Sequence, residues 1–142
     1  MKSKDATYTG FEFEFEGFPA LAIINKDLND AALKSLYPYS VFISIIPDSF
    51  NEYGHPEGAE YDYLNEIEKS IIDYLEEQTR TVHVGHTTLY REREIIFYTR
   101  DREEVENFLG HFLAAIEREN RYDIEHDESW ESVSAFYELI DE

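Results

Sequence analysis

The strict alternation of phenylalanine and glutamate from Phe11 to Glu16 constrains the fold more than any other segment. Successive side chains of a β-strand point to opposite faces, so this segment is expected to form a strand with one buried face and one solvated face. Residues 20–25 are typical of a second strand, and Gly17-Phe18-Pro19 between the two predicts a hairpin. A slip of one residue would bury all three carboxylates, so the pattern also fixes the register.

From residue 41 onward the chain alternates predicted strands and helices. Apolar patterning predicts strands over 41–46, 81–89, 92–99 and 122–126, and helices over 59–78 and 102–120. This order predicts an α+β fold of the ferredoxin-like split βαβ type, an antiparallel sheet with both helices on one face. Residues 41–46 are a nearly continuous apolar run, which favours a central strand covered on both faces.

A single domain is expected over residues 1–142. Its core would be the βαββαβ unit of residues 41–127, preceded by a hairpin and connector (7–40) and followed by a C-terminal helix (128–142). The added N-terminal hairpin is expected to extend the sheet, because an isolated hairpin is barely stable in water. Asp101 and Glu104 have the spacing of a capping box at the start of the second helix.

Acidic residues dominate the charge of the chain. Asp and Glu number 32 against 12 Lys and Arg, a formal net charge of −20. This charge argues against direct binding of nucleic acid or of an anionic membrane. The chain has no cysteine, which excludes disulfides, thiolate zinc sites and cysteine nucleophiles. No signal peptide and no membrane-spanning run is visible, so a cytoplasmic location is expected.

The predicted helix over residues 59–78 is amphipathic. Its apolar residues recur every three or four positions: Tyr61, Leu64, Ile67, Ile71 and Leu75. Carboxylates occupy other positions and are expected to face solvent: Glu60, Asp62, Glu66, Glu68, Asp73, Glu76 and Glu77. Such a surface accelerates encounter with a basic protein and is screened by salt. The alternative is that it serves solubility alone.

The sequence offers few groups that would carry chemistry. His83 and His86 are three residues apart on a predicted strand and would point to opposite faces, so they could share a metal ion only across a bulge. We therefore predict no metal and no cofactor. The chain has no nucleophile elbow, no P-loop and no dinucleotide fingerprint, so no catalytic residue is assigned. The alternative is a small enzyme or ligand-binding protein with a site near the 47–58 loop, formed by Tyr53, His55 and His86.

Several short segments carry a family resemblance. They are Gly17-Phe18-Pro19-Ala20-Leu21-Ala22, Leu64-Asn65-Glu66-Ile67-Glu68, Val84-Gly85-His86-Thr87-Thr88, Ile95-Ile96-Phe97-Tyr98-Thr99 and Asp127-Glu128-Ser129-Trp130-Glu131, followed by Phe136-Tyr137. Across residues 11–140 the chain resembles the bacterial family known as domain of unknown function 695. That family is related in fold to the regulator of ribonuclease E activity B, a ferredoxin-like inhibitor protein. The resemblance implies a fold and no established activity. At residues 90–91 the chain has Tyr-Arg, where family members more often have glycine.

The leading hypothesis is a non-catalytic acidic binding or regulatory module that acts on a basic protein partner, as an inhibitor or an immunity-like protein does. The residues proposed to bind that partner are Glu60, Glu66, Asp73, Glu77, Asp127 and Trp130. For Trp130 the competing interpretation is an anchor that docks the terminal helix. The protein is expected to be a monomer or a weak homodimer.

Overall fold

A six-stranded antiparallel sheet forms the centre of the computed structural model, which describes residues 2–141. Its strands are β1 (Tyr8–Phe15), β2 (Phe18–Asn25), β3 (Tyr39–Ile45), β4 (Thr81–Leu89), β5 (Glu92–Thr99) and β6 (Asn120–His126). Their order across the sheet is β1-β2-β4-β5-β3-β6. The helices are α1 (Ala31–Lys34), α2 (Gly58–Gln78), α3 (Arg102–Ala115) and α4 (Ser134–Ile140). Within residues 2–141, no helix combines the length and apolar character needed to cross a bilayer.

The N-terminal hairpin extends the sheet as predicted, because β2 pairs with β4. Phe15 pairs with Phe18, which leaves Glu16 and Gly17 as a two-residue turn, with φ values of 52° and 84°. Positive φ at both central positions is what a two-residue hairpin turn of type I′ requires. The interruption is therefore shorter than the sequence suggested, since Phe18 and Pro19 belong to β2.

Helices α2 and α3 pack on the same face of the sheet. The core beneath them joins sheet residues (Val41, Ile43, Ile45, Ile95, Phe97 and Ile124) to helix residues (Leu64, Ile67, Ile71, Leu75, Val105, Leu109 and Leu113). The α+β class and the antiparallel sheet are thus confirmed. The more specific ferredoxin-like assignment and the single-domain assignment stay predictions.

The C-terminal segment covers part of the opposite face. Trp130, Val133 and Tyr137 are buried there against Ala22, Ile24, Val82, Val84, Ile96 and Tyr98. The Trp130 ring stacks on Tyr98 at a centroid distance of 4.0 Å, and its indole N–H donates to the Tyr37 carbonyl at 2.9 Å. Phe13 packs against Phe136 of α4, with ring centroids 6.1 Å apart. The terminal helix is therefore docked by its aromatic residues.

No residue of β3 is exposed, in agreement with the expected cover on both faces, although Ser40, Phe42 and Ser44 also line a groove on the side opposite α2 and α3. Two expectations about α3 and its surroundings are wrong. Asp101 precedes α3 without capping it, because its carboxylate accepts hydrogen bonds from the backbone and side chain of Arg80. Helix α3 ends at Ala115, and strand β6 begins at Asn120.

Candidate binding site on the open face of the sheet

An acidic groove crosses the face of the sheet that α4 leaves open. Its volume is about 510 Å³, and it is lined by Ser40, Phe42, Ser44, Glu94, Arg121, Tyr122, Asp123, Glu125 and Ser132. Strand pairing explains the arrangement, because Ser44 lies opposite both Glu94 and Arg121, while Ser40 lies opposite Glu125. Alternate residues of three neighbouring strands thus present their polar side chains to one concave surface.

An aromatic cavity of about 320 Å³ adjoins the acidic groove and shares Glu94 and Arg121 with it. Its other lining residues are Phe13, Phe15, Glu16, Thr87, Leu89, Glu92 and Phe136. Thr87 of β4 lies opposite Glu94 of β5 in the strand register. The side chain of Thr87 is buried, and its hydroxyl has no hydrogen-bond partner among the described residues. A hydroxyl of this kind is a point at which a ligand can bind.

Carboxylates in the acidic groove are held in surroundings that disfavour their ionised form. Burial and the neighbouring Glu92 raise the pKa of Glu94 to about 6, although Arg121 opposes this rise. A hydrogen bond that the protonated Glu125 donates to Asp123, together with repulsion by the Asp123 charge, raises the pKa of Glu125. A bound cation would relieve both effects, since an opposite charge favours the ionised carboxylate.

The opposite face holds a buried polar network centred on Glu68 of α2. A bulge in β4 between His83 and Gly85 brings His83 and His86 to the same face. Their ring nitrogens lie 2.9 and 2.8 Å from the Glu68 carboxylate. The Tyr8 hydroxyl lies 2.7 Å from His83 Nδ1. These are hydrogen-bond distances, and no group of three or more potential metal ligands within residues 2–141 is arranged to hold an ion.

Arg93 completes this network and is fully buried. Its Nη1 donates to Asn65 at 2.7 Å and lies 3.3 Å from Glu68. Its Nε and Nη2 have no hydrogen-bond partner in the described part of the chain, and the Tyr61 ring lies 5.5 Å from the guanidinium. Burial lowers the pKa of Arg93, whereas the charge of Glu68 opposes this. The cluster joins α2 to the sheet and lines none of the cavities described above.

The carboxylates predicted to face solvent on α2 do not all do so. Glu68 is buried in the network, and Glu60 is buried against Arg118, which approaches to 2.7 Å. Burial opposes ionisation of Glu68, but hydrogen bonds from His83 and His86 outweigh it and lower its pKa. The expectation of an outward position is wrong for these two residues, because a basic partner within the fold compensates each of them.

Of the residues proposed to bind a partner, three are engaged inside the fold. Besides Glu60, Trp130 is buried, and Asp127 accepts hydrogen bonds from the Tyr98 hydroxyl at 2.6 Å and from the Ser132 amide at 3.0 Å. The other three proposed residues, Glu66, Asp73 and Glu77, are exposed on α2, where Asp73 pairs with Lys69. Partner binding by these residues stays a prediction.

Of the three residues proposed for the alternative site, two lie close together and His86 contacts a different group. His55 Nε2 lies 3.0 Å from the Pro19 carbonyl oxygen, and its ring is 6.4 Å from that of Tyr53. His86 instead contacts Glu68. No hydrogen bond or ring contact in residues 2–141 joins His86 to His55 or Tyr53. A site uniting all three stays a prediction.

Sequence reasoning did not single out the residues that line the groove. A signal was present in β3, where Ser40 and Ser44 lie four residues apart and thus share one face of the strand. Arg121, Asp123 and Glu125 alternate in the same way along β6. Charged and hydroxyl residues repeated with period two indicate an uncovered face, which a count of apolar residues does not reveal.

Comparison with known proteins gives a family and no activity. No curated protein and no solved structure matches the chain. The fold relation to the regulator of ribonuclease E activity B therefore stays a prediction. The model of the Family of unknown function (DUF695) matches residues 9–137. This range includes the whole sheet apart from the first residue of β1, and it extends into α4. The protein therefore belongs to the DUF695 family.

Proposed function

We propose that the protein is a non-catalytic acidic module that binds a basic protein partner, with the acidic groove as its contact surface. The observation that supports this proposal is the convergence of Glu94, Asp123 and Glu125 in one concave site. Arg121 is the only Lys or Arg among the described residues that line this groove, so a negative charge remains after pairing. Opposite charge across an interface favours encounter and fixes orientation.

The position of the acidic groove suits a macromolecular partner. It is open along β6, which is an edge strand with exposed Arg121, Asp123 and Glu125. A lysine or arginine of the partner would lie between carboxylates whose pKa values are raised, and binding would favour their ionised form. By covering a basic surface that the partner needs for another contact, the module would act as an inhibitor or an immunity-like protein.

Two double variants of equal charge test this proposal. Asp123→Asn/Glu125→Gln alters the acidic groove, and Glu66→Gln/Glu77→Gln alters the exposed surface of α2. Each immobilised protein is incubated with lysate at low salt and then washed with increasing salt. We expect the wild type to retain a basic protein that is released near about 0.5 M salt, where charges are strongly screened. The groove variant is expected to lose this retention, and the α2 variant to keep it.

Capture of a basic protein alone does not support the proposal, because a charge of −20 also attracts cations without specificity. The supporting result is the difference between the two double variants. Equal loss of retention in both, or a retained partner that is insensitive to salt, would contradict the acidic groove as the contact surface. If only the α2 variant loses retention of the basic protein, the contact surface is on α2, around Glu66 and Glu77.

A further inference from the structure

We propose that the aromatic cavity is a binding site for an organic cation with an apolar body. Its ammonium or guanidinium group would lie against Glu94 and Thr87, and its hydrocarbon part against Phe13, Phe15 and Phe136. This inference rests on the proposed function and deepens it, because it names the part of the basic partner that enters the fold. That part is a lysine or arginine adjoining an apolar residue. A free amine carries the same chemistry.

The apolar wall of the cavity is built from aromatic rings of two elements. Phe13 and Phe15 project from β1, and Phe136 projects from α4 to within 6.1 Å of Phe13, measured between ring centroids. Phe15 remains 42% exposed, although it is on the same face of β1 as Phe13. Leu89 completes the apolar lining. Such rings bind hydrocarbon, and their faces also attract a cation.

The polar floor of the cavity has an unused acceptor. Thr87 is 1% exposed, and its hydroxyl finds no partner in residues 2–141, although it lines a cavity that could admit one. Buried hydroxyls in native proteins are nearly always hydrogen-bonded, so this group is an exception that needs a reason. A ligand N–H group would donate to it. Glu94 lies directly opposite on β5 and could bind the same ammonium.

Arg121 compensates the Glu94 carboxylate only in part, because it also pairs with Glu92. Glu92 approaches Arg121 to 3.4 Å, whereas no hydrogen bond from residues 2–141 reaches the Glu94 carboxylate. Charged groups that line the two cavities beside it come from three elements: Glu92 on β5, Arg121, Asp123 and Glu125 on β6, and Glu16 at the hairpin turn. Four of these five are acidic, so an added cation is favoured.

Chemical-shift titration of the whole protein with defined probes tests the site. The first probe is 2-phenylethylamine, with 2-phenylethanol as the neutral analogue and methylamine as the cation without an apolar body. We expect 2-phenylethylamine to shift amide signals around Thr87, Glu94 and Phe136, and both analogues to bind at least about tenfold more weakly. Equal binding of the alcohol, or no shifts at these residues, would overturn the proposal.

A pair of isosteric variants separates binding from folding. Thr87→Val removes the hydroxyl that has no partner, so we expect an unchanged or higher unfolding temperature together with weaker amine binding. Thr88→Val is the matched control, since Thr88 is also buried but points to the opposite face of β4 and lines neither cavity. Glu94→Gln should abolish the preference for the amine over the alcohol. If Thr87→Val binds the amine as tightly as the wild type does, the Thr87 hydroxyl is not part of the binding site.

Two peptides distinguish the source of the cation. Acetyl-Phe-Lys-amide and acetyl-Gly-Lys-amide carry the same charge, and we expect the first to bind at least about tenfold more tightly because it adds a ring. Tighter binding of the peptide than of 2-phenylethylamine would assign the site to a protein partner, and the reverse would assign it to a small amine. If none of the probes binds, this inference is overturned. If retention of the basic partner nevertheless depends on Asp123 and Glu125, the proposed function still stands.

Discussion

Glu68 shows how a single buried charge is maintained in this fold. Its carboxylate lies within 3.3 Å of nitrogens from His83, His86 and Arg93. Removal of a buried charge from such a set leaves its partners uncompensated, which costs more than the pair contributes. Replacing Glu68 would therefore destabilise the fold chiefly because its basic partners would remain buried without a compensating charge.

We predict that Glu68→Gln lowers the free energy of unfolding by about 3–5 kcal/mol at neutral pH, because Arg93 would lose its charged partner. Glu66→Gln, an exposed change on the same helix, should alter it by less than about 0.5 kcal/mol. Urea denaturation of both variants measures the difference. Equal stability of the two proteins would show that the Glu68 network contributes nothing to the fold.

The pH dependence of stability follows from the same residue. Burial would raise the pKa of Glu68, but hydrogen bonds from His83 and His86 hold it below the ordinary value of 4.5. A lowered pKa in the folded state stabilises the protein above the unfolded value and loses this effect as pH falls below it. We therefore expect the stability gap between wild type and Glu68→Gln to narrow below about pH 4.5. A gap that stays constant down to the acid transition would contradict this prediction.

A third residue-scale prediction concerns the hairpin turn. Glu16 adopts a φ of 52°, which is unfavourable for glutamate and tolerated by asparagine. Glu16→Asn should therefore raise the free energy of unfolding by about 0.5–1 kcal/mol. Glu14→Asn removes the same charge from the neighbouring strand, where φ is ordinary, and should bring no gain. If both variants gain stability, the cause is the removal of a negative charge and not the backbone conformation of residue 16.

At the scale of elements, the bulge in β4 determines which residues meet α2. Gly85 has a φ of 148°, and an added Cβ atom would lie 1.9 Å from the Ile23 carbonyl oxygen. We predict that Gly85→Ala lowers the free energy of unfolding by about 3 kcal/mol or more. Gly110→Ala in α3, where the nearest atom is 3.8 Å away, should raise it by about 0.5–1 kcal/mol. Thermal unfolding of the two variants measures the difference in stability. If Gly85→Ala is as stable as the wild type, β2 and β4 can move apart to accept the added Cβ atom.

Periodicity is sufficient to predict the strands and both long helices, and the order of these elements predicts that the two helices share a face. The predicted direction of a side chain is wrong where a single extra residue shifts the strand, or where a partner distant in sequence holds the side chain inside the fold. The extra residue at the bulge brings His83 and His86 to the same face, which strict alternation forbids. Local patterning places Glu60 and Glu68 in solvent because it contains no information on their partners, Arg118 and Arg93, which are distant in sequence. The acidic groove depends on the pairing of β3 with β5 and β6, which no local pattern specifies.

At the scale of the whole molecule, a formal charge of −20 on 142 residues opposes compaction. We predict that the unfolding temperature rises as salt increases from a few millimolar to about 0.15 M, because the screening length falls to about 8 Å. Scanning calorimetry in sodium chloride measures this rise, with a neutral sugar as the control for solvent effects. A flat or falling profile would indicate that local ion pairs, such as Arg118 with Glu60, outweigh the general repulsion.

The burial of Trp130 gives this protein an internal optical reporter. Trp130 is the only tryptophan of the chain, and it combines full burial with a stacked tyrosine and a hydrogen-bonded indole. Its fluorescence therefore responds to undocking of the terminal segment that carries Phe136. Emission will shift toward red when that segment leaves the sheet, even where circular dichroism from the two long helices is unchanged. Undocking can therefore be followed in the unlabelled protein.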